Sequence, residues 1–240
     1  FVKYDNLKRY NHSIKVMEKA LEIVEQNNFC VDLEQIKLSA MLHDVGKLLI
    51  PTEILLKPER LTNEEYEVMK QHTRYGFDLL RNLHSVSLLV AHCAFQHHER
   101  IDGSGYPRGL VDFEIHPFAK IIGVADVFDA VTSNRVYREK LLPSQGITII
   151  QAGSGTLFSP RVVEALFKSV VHYSNGTILL LSDGRRGIVS KQNMKQPNRP
   201  YLRIFEEDNE ILDANYEINL ADSPNVLIDN IELEYITSVE

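Results

Sequence analysis

The chain has 240 residues, 44% hydrophobic and 25% charged, as expected for a globular protein of one large domain or one medium domain plus a small one. No apolar run approaches the ~20 residues that span a bilayer, and no basic start, apolar stretch and cleavage site marks a secretory signal. Residues 201–240 hold eleven Asp/Glu against the single Arg203, a balance of −10, so the preceding 200 residues carry +3 of the overall −7. An anionic ligand would be drawn to the first part and repelled from the tail.

Taken in order, Leu7, Ile14, Met17, Leu21 and Val24 recur at helical spacing and predict an amphipathic helix over 4–26, with His12 near its middle. Asp32 and Gln35 resemble a capping box for a second helix over Ile36–Leu42, which ends at the His43-Asp44 pair and is stopped by Gly46 and Pro51. Adjacent residues at a helix end can converge on one ion, and the two oxygens of a single aspartate can bridge two. Thr62 with Glu65 offers another capping box, for one helix running from there to about Leu83 with His72 inside it. Ser85 to His98 predicts a further helix, strongly apolar; His84 and His92 match no motif and read as structural. Cys93 lies in its apolar run and reads as a buried thiol. With Cys30 it makes neither a disulfide framework nor a CxxC pair, which suits a reducing cytoplasm.

Next comes His97-His98-Glu99-Arg100-Ile101-Asp102-Gly103-Ser104-Gly105-Tyr106-Pro107. Core packing does not call for such a polar, glycine-bearing stretch; paired imidazoles beside a loop fit a metal site with a substrate-facing wall, against a surface turn with two incidental histidines. Phe118 to Thr132 predicts a buried helix interrupted by Asp126 and Asp129, three apart and neighbours on one face. Charges on an apolar face are costly unless they meet cations or metals, so a metal role outweighs a plain salt-bridged pair. Helices over 143–151 and 160–173 follow. The character then changes: 177–182 and 187–190 read as strands around a turn, 201–205 and 211–214 as a second hairpin across 206–210, and 225–233 as an added strand. The expected architecture is mainly α, a helical domain over 1–174 with a small β-rich C-terminal domain over 175–240.

His43-Asp44-Val45-Gly46-Lys47, the HHE-R-x-DG-x-GYP stretch and Asp126-Val127-Phe128-Asp129, in that order, resemble the HD-GYP family, a branch of the HD-domain metallophosphohydrolases. The resemblance runs from about His12 to about Phe167 and implies an HD-domain helical bundle that hydrolyses cyclic dinucleotides, chiefly cyclic di-GMP to pGpG, with further cleavage to GMP left open. It implies a metal ligand set of His12, His43, Asp44 and Asp126 for one ion, and Asp44 with His72, His97 and His98 for the other. Lys8 stands where some members have a glutamate for a third metal, which leaves two divalent ions, iron or manganese by resemblance and by the imidazole–carboxylate mix, with Zn, Ni or Co as substitutes.

Lys47 and Asp44 are the implied catalytic residues, Lys47 orienting the nucleophile or protonating the leaving oxygen. Arg135 and Arg138 would meet the second phosphate or a guanine edge, and Tyr106 a phosphate or ribose oxygen, with Gly105 beside it in the substrate loop. Val136 replaces the family's usual proline between these arginines. Asp102 and Gly103 would shape the loop, and Asp129 would orient a ligand or Lys47. Rival readings are the same chemistry on cyclic GMP-AMP, a non-catalytic receptor or scaffold working through the GYP loop, and a nucleotide phosphohydrolase of the wider HD group. The expected partner is a cyclic dinucleotide, not long nucleic acid, since no basic stripe is interleaved with aromatics; an upstream sensor domain or a second copy of the chain is left open.

Overall fold

The computed structural model describes residues 2–27, 29–133 and 141–234, which form two compact units meeting at 169/170. Arg135 and Arg138, with Val136 between them, lie outside the described residues, as does the side chain of Lys8.

The first unit is helical: α1 (Val2–Gln26), α2 (Leu33–Leu42), α3 (Thr52–Leu55), α4 (Asn63–Lys70), α5 (His72–Leu80), α6 (Leu88–Gln96), α7 (Pro117–Thr132), α8 (Pro143–Ala152) and α9 (Pro160–Ser169). Helix α1 packs on α2, α7 and α9, and α7 also meets α6 and α8, so α7 runs through the interior. Its buried residues Ile121, Ile122, Val124 and Ala125 meet a core to which α1 gives Val16, Ala20 and Ile23, and α2 gives Ile36 and Ala40. No helix among the described residues is long and apolar enough to cross a membrane.

Local chemistry sets the ends of these helices. Asp32 Oδ1 accepts from the Glu34 and Gln35 amides at 3.0 and 3.2 Å, a cap for α2, though Gln35 does not reciprocate as a full capping box would. The Thr62–Glu65 box is complete. The single helix expected beyond it is in fact two, broken at Gln71. His72 Nδ1 turns back to Met69 O at 2.7 Å and Thr73 Oγ1 donates to Lys70 O at 2.9 Å, engaging carbonyls that a continuous helix would share with later amides. His72 therefore begins a new helix. Similarly α6 starts at Leu88, because Ser87 rather than Ser85 accepts from the Leu89 amide. Cys93 is buried in α6 and its thiol is pushed up to about 12 by burial, which makes it inert.

Gly46 does not end α2, which stops at Leu42. It lies in a 3-10 turn over Val45–Leu49 that packs on α5. A Cβ there would fall 1.8 Å from His72 O and 2.4 Å from Gly76 N, so only glycine lets the two segments approach this closely.

The second unit is a five-stranded antiparallel sheet, β1 (Thr177–Leu181), β2 (Arg186–Lys191), β3 (Tyr201–Glu207), β4 (Glu210–Asn219) and β5 (Ile228–Glu234), in the order β4-β3-β2-β1-β5. The β3–β4 hairpin is tighter than the expected 206–210 loop, because Asp208 and Asn209 take left-handed conformations (φ 49° and 64°) and turn the chain in two residues. Leu179, Leu181, Val189, Leu202, Ile204 and Leu220 form its core.

Candidate metal centre

Three helix ends and two helix interiors bring distant residues to one buried point. His43 and Asp44 follow the end of α2, His72 opens α5, His97 and His98 follow α6, and His12 and Asp126 come from within α1 and α7. His12, His43 and Asp44 form one close group of donor atoms, and Asp44, His72, His97 and His98 another; in each the atoms lie within 4.8 Å of one another. Six of the seven expected ligands are thus gathered. Asp126 is outside both groups, with its carboxylate 3.1 Å from His12 Nε2.

The imidazoles are oriented from behind. Nδ1 of His43, His72 and His97 meets the carbonyls of Ala40, Met69 and Ala94 at 2.6, 2.7 and 3.0 Å. A carbonyl only accepts, so each Nδ1 carries the proton and each Nε2 turns a lone pair inward. His12 does the same through Asp129, whose Oδ2 is 2.6 Å from Nδ1 and whose Oδ1 accepts from Ser133 Oγ. Asp129 thus touches a candidate ligand and not Lys47. Two inward lone pairs, on His72 and His97, face each other at 3.5 Å, an arrangement that calls for a cation between them.

Asp44 divides its carboxylate between the two groups. Oδ1 is 3.4 and 3.7 Å from Nε2 of His72 and His97, and Oδ2 is 3.5 and 3.9 Å from Nε2 of His43 and His12. Lys47 Nζ donates to Oδ2 at 2.5 Å. Among the described residues, His43 Nε2 and Asp44 Oδ1 are buried with no hydrogen-bond partner. Such orphaned atoms are costly unless something fills the space between them, and an imidazole–carboxylate set suits a divalent cation. The residues present therefore fit a metal pair sharing Asp44.

Burial drops His43 to about 4 and His72 to about 3, and also lowers His98. Burial acts on His12 in the same sense, but hydrogen bonds with Asp126 and Asp129 outweigh it and raise His12 to about 9. The Asp44 carboxyl is held well below its usual range: burial opposes this, but Lys47 and the surrounding imidazoles prevail. In chelated protein, His43 and His72 refuse protons that the unfolded chain takes up below the ordinary histidine value of 6.5. Stability contributed by these two is complete above that value and is lost as pH falls. His12 works oppositely: its contribution is complete below 6.5 and is lost as pH rises through about 9. Melting of the chelated protein is therefore expected to drop on acidification from pH 6.5 to 5; a flat profile would contradict neutral, buried imidazoles.

The GYP loop closes one side. Tyr106 stacks on His98, ring centroids 4.6 Å apart and planes at 24°. Gly105 lies where a Cβ would be 2.3 Å from Arg100 N, so close backbone approach accounts for this glycine. Asp102 Oδ1 accepts from the Ser104 amide and hydroxyl at 2.9 and 2.6 Å, a turn-forming role.

Two residues of the loop carry roles that the sequence alone did not reveal. Glu99, 5% exposed, accepts from the Arg108 and Leu110 amides at 2.8 and 2.9 Å and pins the far end of the loop. Arg100 donates to the carbonyls of Glu99 and His97 and lies over the Phe158 ring at 5.1 Å. Their only sequence signal was the motif itself. Glu99→Ala strands two amides and is expected to destabilise by about 2 kcal/mol and to speed amide exchange at Arg108 and Leu110. Unchanged exchange there would contradict the clamp.

Converging imidazoles around a shared, buried aspartate in a helical bundle form a cluster that could hold metal ions. The chain belongs to the HD domain family, whose model matches residues 4–162, and the HD-GYP resemblance of its motifs holds. It is 44% identical over 167 residues to a cyclic di-GMP phosphodiesterase of Thermotoga maritima, a match covering 69% of this chain and 45% of that protein. It is 34% identical over 197 residues to a cyclic di-GMP phosphodiesterase of Pseudomonas aeruginosa, covering 82% and 47%. Among solved structures it resembles an HDG"Y"P protein from Bdellovibrio bacteriovorus, with TM-score 0.55 and 19% identity over 66% of this chain and 51% of that one, a likeness of fold. The chain spans about half the length of the curated relatives it matches.

Proposed function

We propose that this chain is the catalytic part of a metal-dependent phosphodiesterase that cleaves cyclic di-GMP to linear pGpG and, in a second cut, to GMP. The observation that carries this reading is the divided carboxylate of Asp44, one oxygen toward His72 and His97 and the other toward His43 and His12. The names of the relatives support the same reaction. His12, His43 and Asp44 would hold one ion, with Asp126 joining from beside His12, and Asp44, His72, His97 and His98 the other. Iron or manganese is the proposed pair; when bound, such ions supply Lewis acidity toward the phosphoryl oxygens and acidify a water.

The protein's own groups do the rest. Lys47, held on Asp44 Oδ2, is placed to give a proton to the departing 3′-oxygen. The Tyr106 hydroxyl, raised by burial, stays protonated and serves as a donor to a phosphate or ribose oxygen. Asp129 keeps His12 in the tautomer that turns Nε2 inward. Arg135 and Arg138, carried from the family motif, are assigned to the second phosphate or a guanine edge. The free cysteines, Cys30 exposed and Cys93 buried, fit work in a reducing cytoplasm.

Protein loaded anaerobically with ferrous iron, and in parallel with manganese, is incubated with cyclic di-GMP and the products are separated by chromatography. Accumulation of pGpG, then GMP, is expected, and chelation should abolish it. A cation-loaded protein that leaves cyclic di-GMP and cyclic GMP-AMP intact contradicts the proposal and favours a scaffold.

A further inference from the structure

Tyr66 and Lys70, which border the GYP loop beside the centre, have no part in the chemistry above. Tyr106, stacked on His98, meets the ring of Tyr66 from α4 edge-on, centroids 6.3 Å apart and planes at 79°. Lys70, one helical turn beyond Tyr66, places its ammonium 5.3 Å from the Tyr66 ring and 5.7 Å from the Tyr106 ring. Glu67 pairs with that ammonium at 2.5 Å, and the Lys70 side chain is 23% exposed, so it lies over the rings instead of extending freely into solvent. Tyr66 itself is 47% exposed.

A lone exposed tyrosine means little. Here, however, an open aromatic surface and an anchored cation stand two ring contacts from a candidate ligand, His98. That spacing suits a substrate whose phosphate sits at the centre and whose planar base projects sideways. Aromatic side chains stack any base, whereas a lysine prefers the guanine edge: O6 and N7 both accept, while adenine turns its N6 amino donor toward the cation.

We propose that Tyr66 and Lys70 form a base subsite, in which Tyr66 stacks a purine of the bound dinucleotide and Lys70 donates to its O6/N7 edge and so favours guanine. This rests on the phosphodiesterase reading. Neither residue is among the candidate metal ligands, so metal content serves as an independent control.

The test measures metal content, and kcat and KM on cyclic di-GMP and cyclic di-AMP, for the wild type and for Tyr66→Ala, Tyr66→Phe, Lys70→Met and Lys70→Arg. Tyr66→Ala is expected to raise KM for cyclic di-GMP about tenfold with kcat within about twofold and full metal content, and Tyr66→Phe to restore it. Lys70→Met should narrow the guanine preference in kcat/KM about tenfold, and Lys70→Arg should keep it. An unchanged KM in Tyr66→Ala, an unchanged preference in Lys70→Met, or metal loss in either, in a series whose wild type turns over cyclic di-GMP, overturns the subsite alone. A metal-loaded wild type that cleaves neither dinucleotide overturns the phosphodiesterase reading and the subsite with it.

Discussion

Asp44→Ala is expected to lower the affinity for both cations together and to reduce kcat/KM on cyclic di-GMP by about a thousandfold or more. Asp44 is the residue common to both donor groups, and each of its oxygens faces a different set of imidazoles. Removing it also takes away the anion to which Lys47 is bonded, so the proposed proton donor loses its anchor in the same step. Asp129→Ala is the informative contrast, since Asp129 touches His12 and not the interior of the centre. Groups that orient a ligand from behind typically contribute about 10–100-fold in metal affinity or activity. Metal analysis and turnover of the two variants side by side should therefore separate them by an order of magnitude or more. Equal effects would mean that Asp44 is no bridge.

The second large effect is expected at Gly46. Its missing side chain is what allows the turn after Asp44 to lie against α5: a Cβ would come to 1.8 Å from His72 O and 2.4 Å from Gly76 N, both backbone atoms. No rotamer change relieves such an overlap; the start of α5 has to move, and His72 moves with it. Gly46→Ala is expected to cost more than about 3 kcal/mol, at or beyond the upper end for overpacked sites, and to lose the cation assigned to His72. Gly76, on the other side of the same crossing, is the control. A Cβ there would meet Ala94 Cβ at 3.3 Å and Gly46 N at 3.4 Å, a tight but tolerable fit. Gly76→Ala should change stability by less than about 1 kcal/mol, because the gain in helix propensity offsets the crowding. Denaturant titration of both variants checks the asymmetry, and a mild Gly46→Ala would contradict it.

These two residues also mark what could be read from the sequence. The His43-Asp44 pair, the HHE stretch, the Asp126-Asp129 pair and the helical pattern around His12 were legible because motif order and apolar spacing are local properties of the chain. The convergence of six of the expected ligands follows from placing five of them at helix ends, where side chains of different elements can meet. The reason for Gly46 was not legible: a glycine after a helix reads as a stop, whereas it is set by a backbone crossing with residues 26 and 30 positions later. Nor was the break at Gln71, since apolar periodicity runs through it and the interruption comes from side chains bonding back to Met69 and Lys70. Glu99 and Asp129 stand within legible motifs, but their partners, Leu110 and His12, are fixed only by the folded chain. In the sheet, a hairpin across 206–210 was visible, but the strands extend closer to its Asp208-Asn209 turn than the hydrophobic runs suggested.

The proposed binuclear centre is tested most directly by anomalous diffraction from a manganese-loaded crystal. Two peaks are expected, one on either side of Asp44, the first against His12 and His43 and the second against His72, His97 and His98. A single peak, or density remote from Asp44, would contradict a metal pair held by a shared carboxylate.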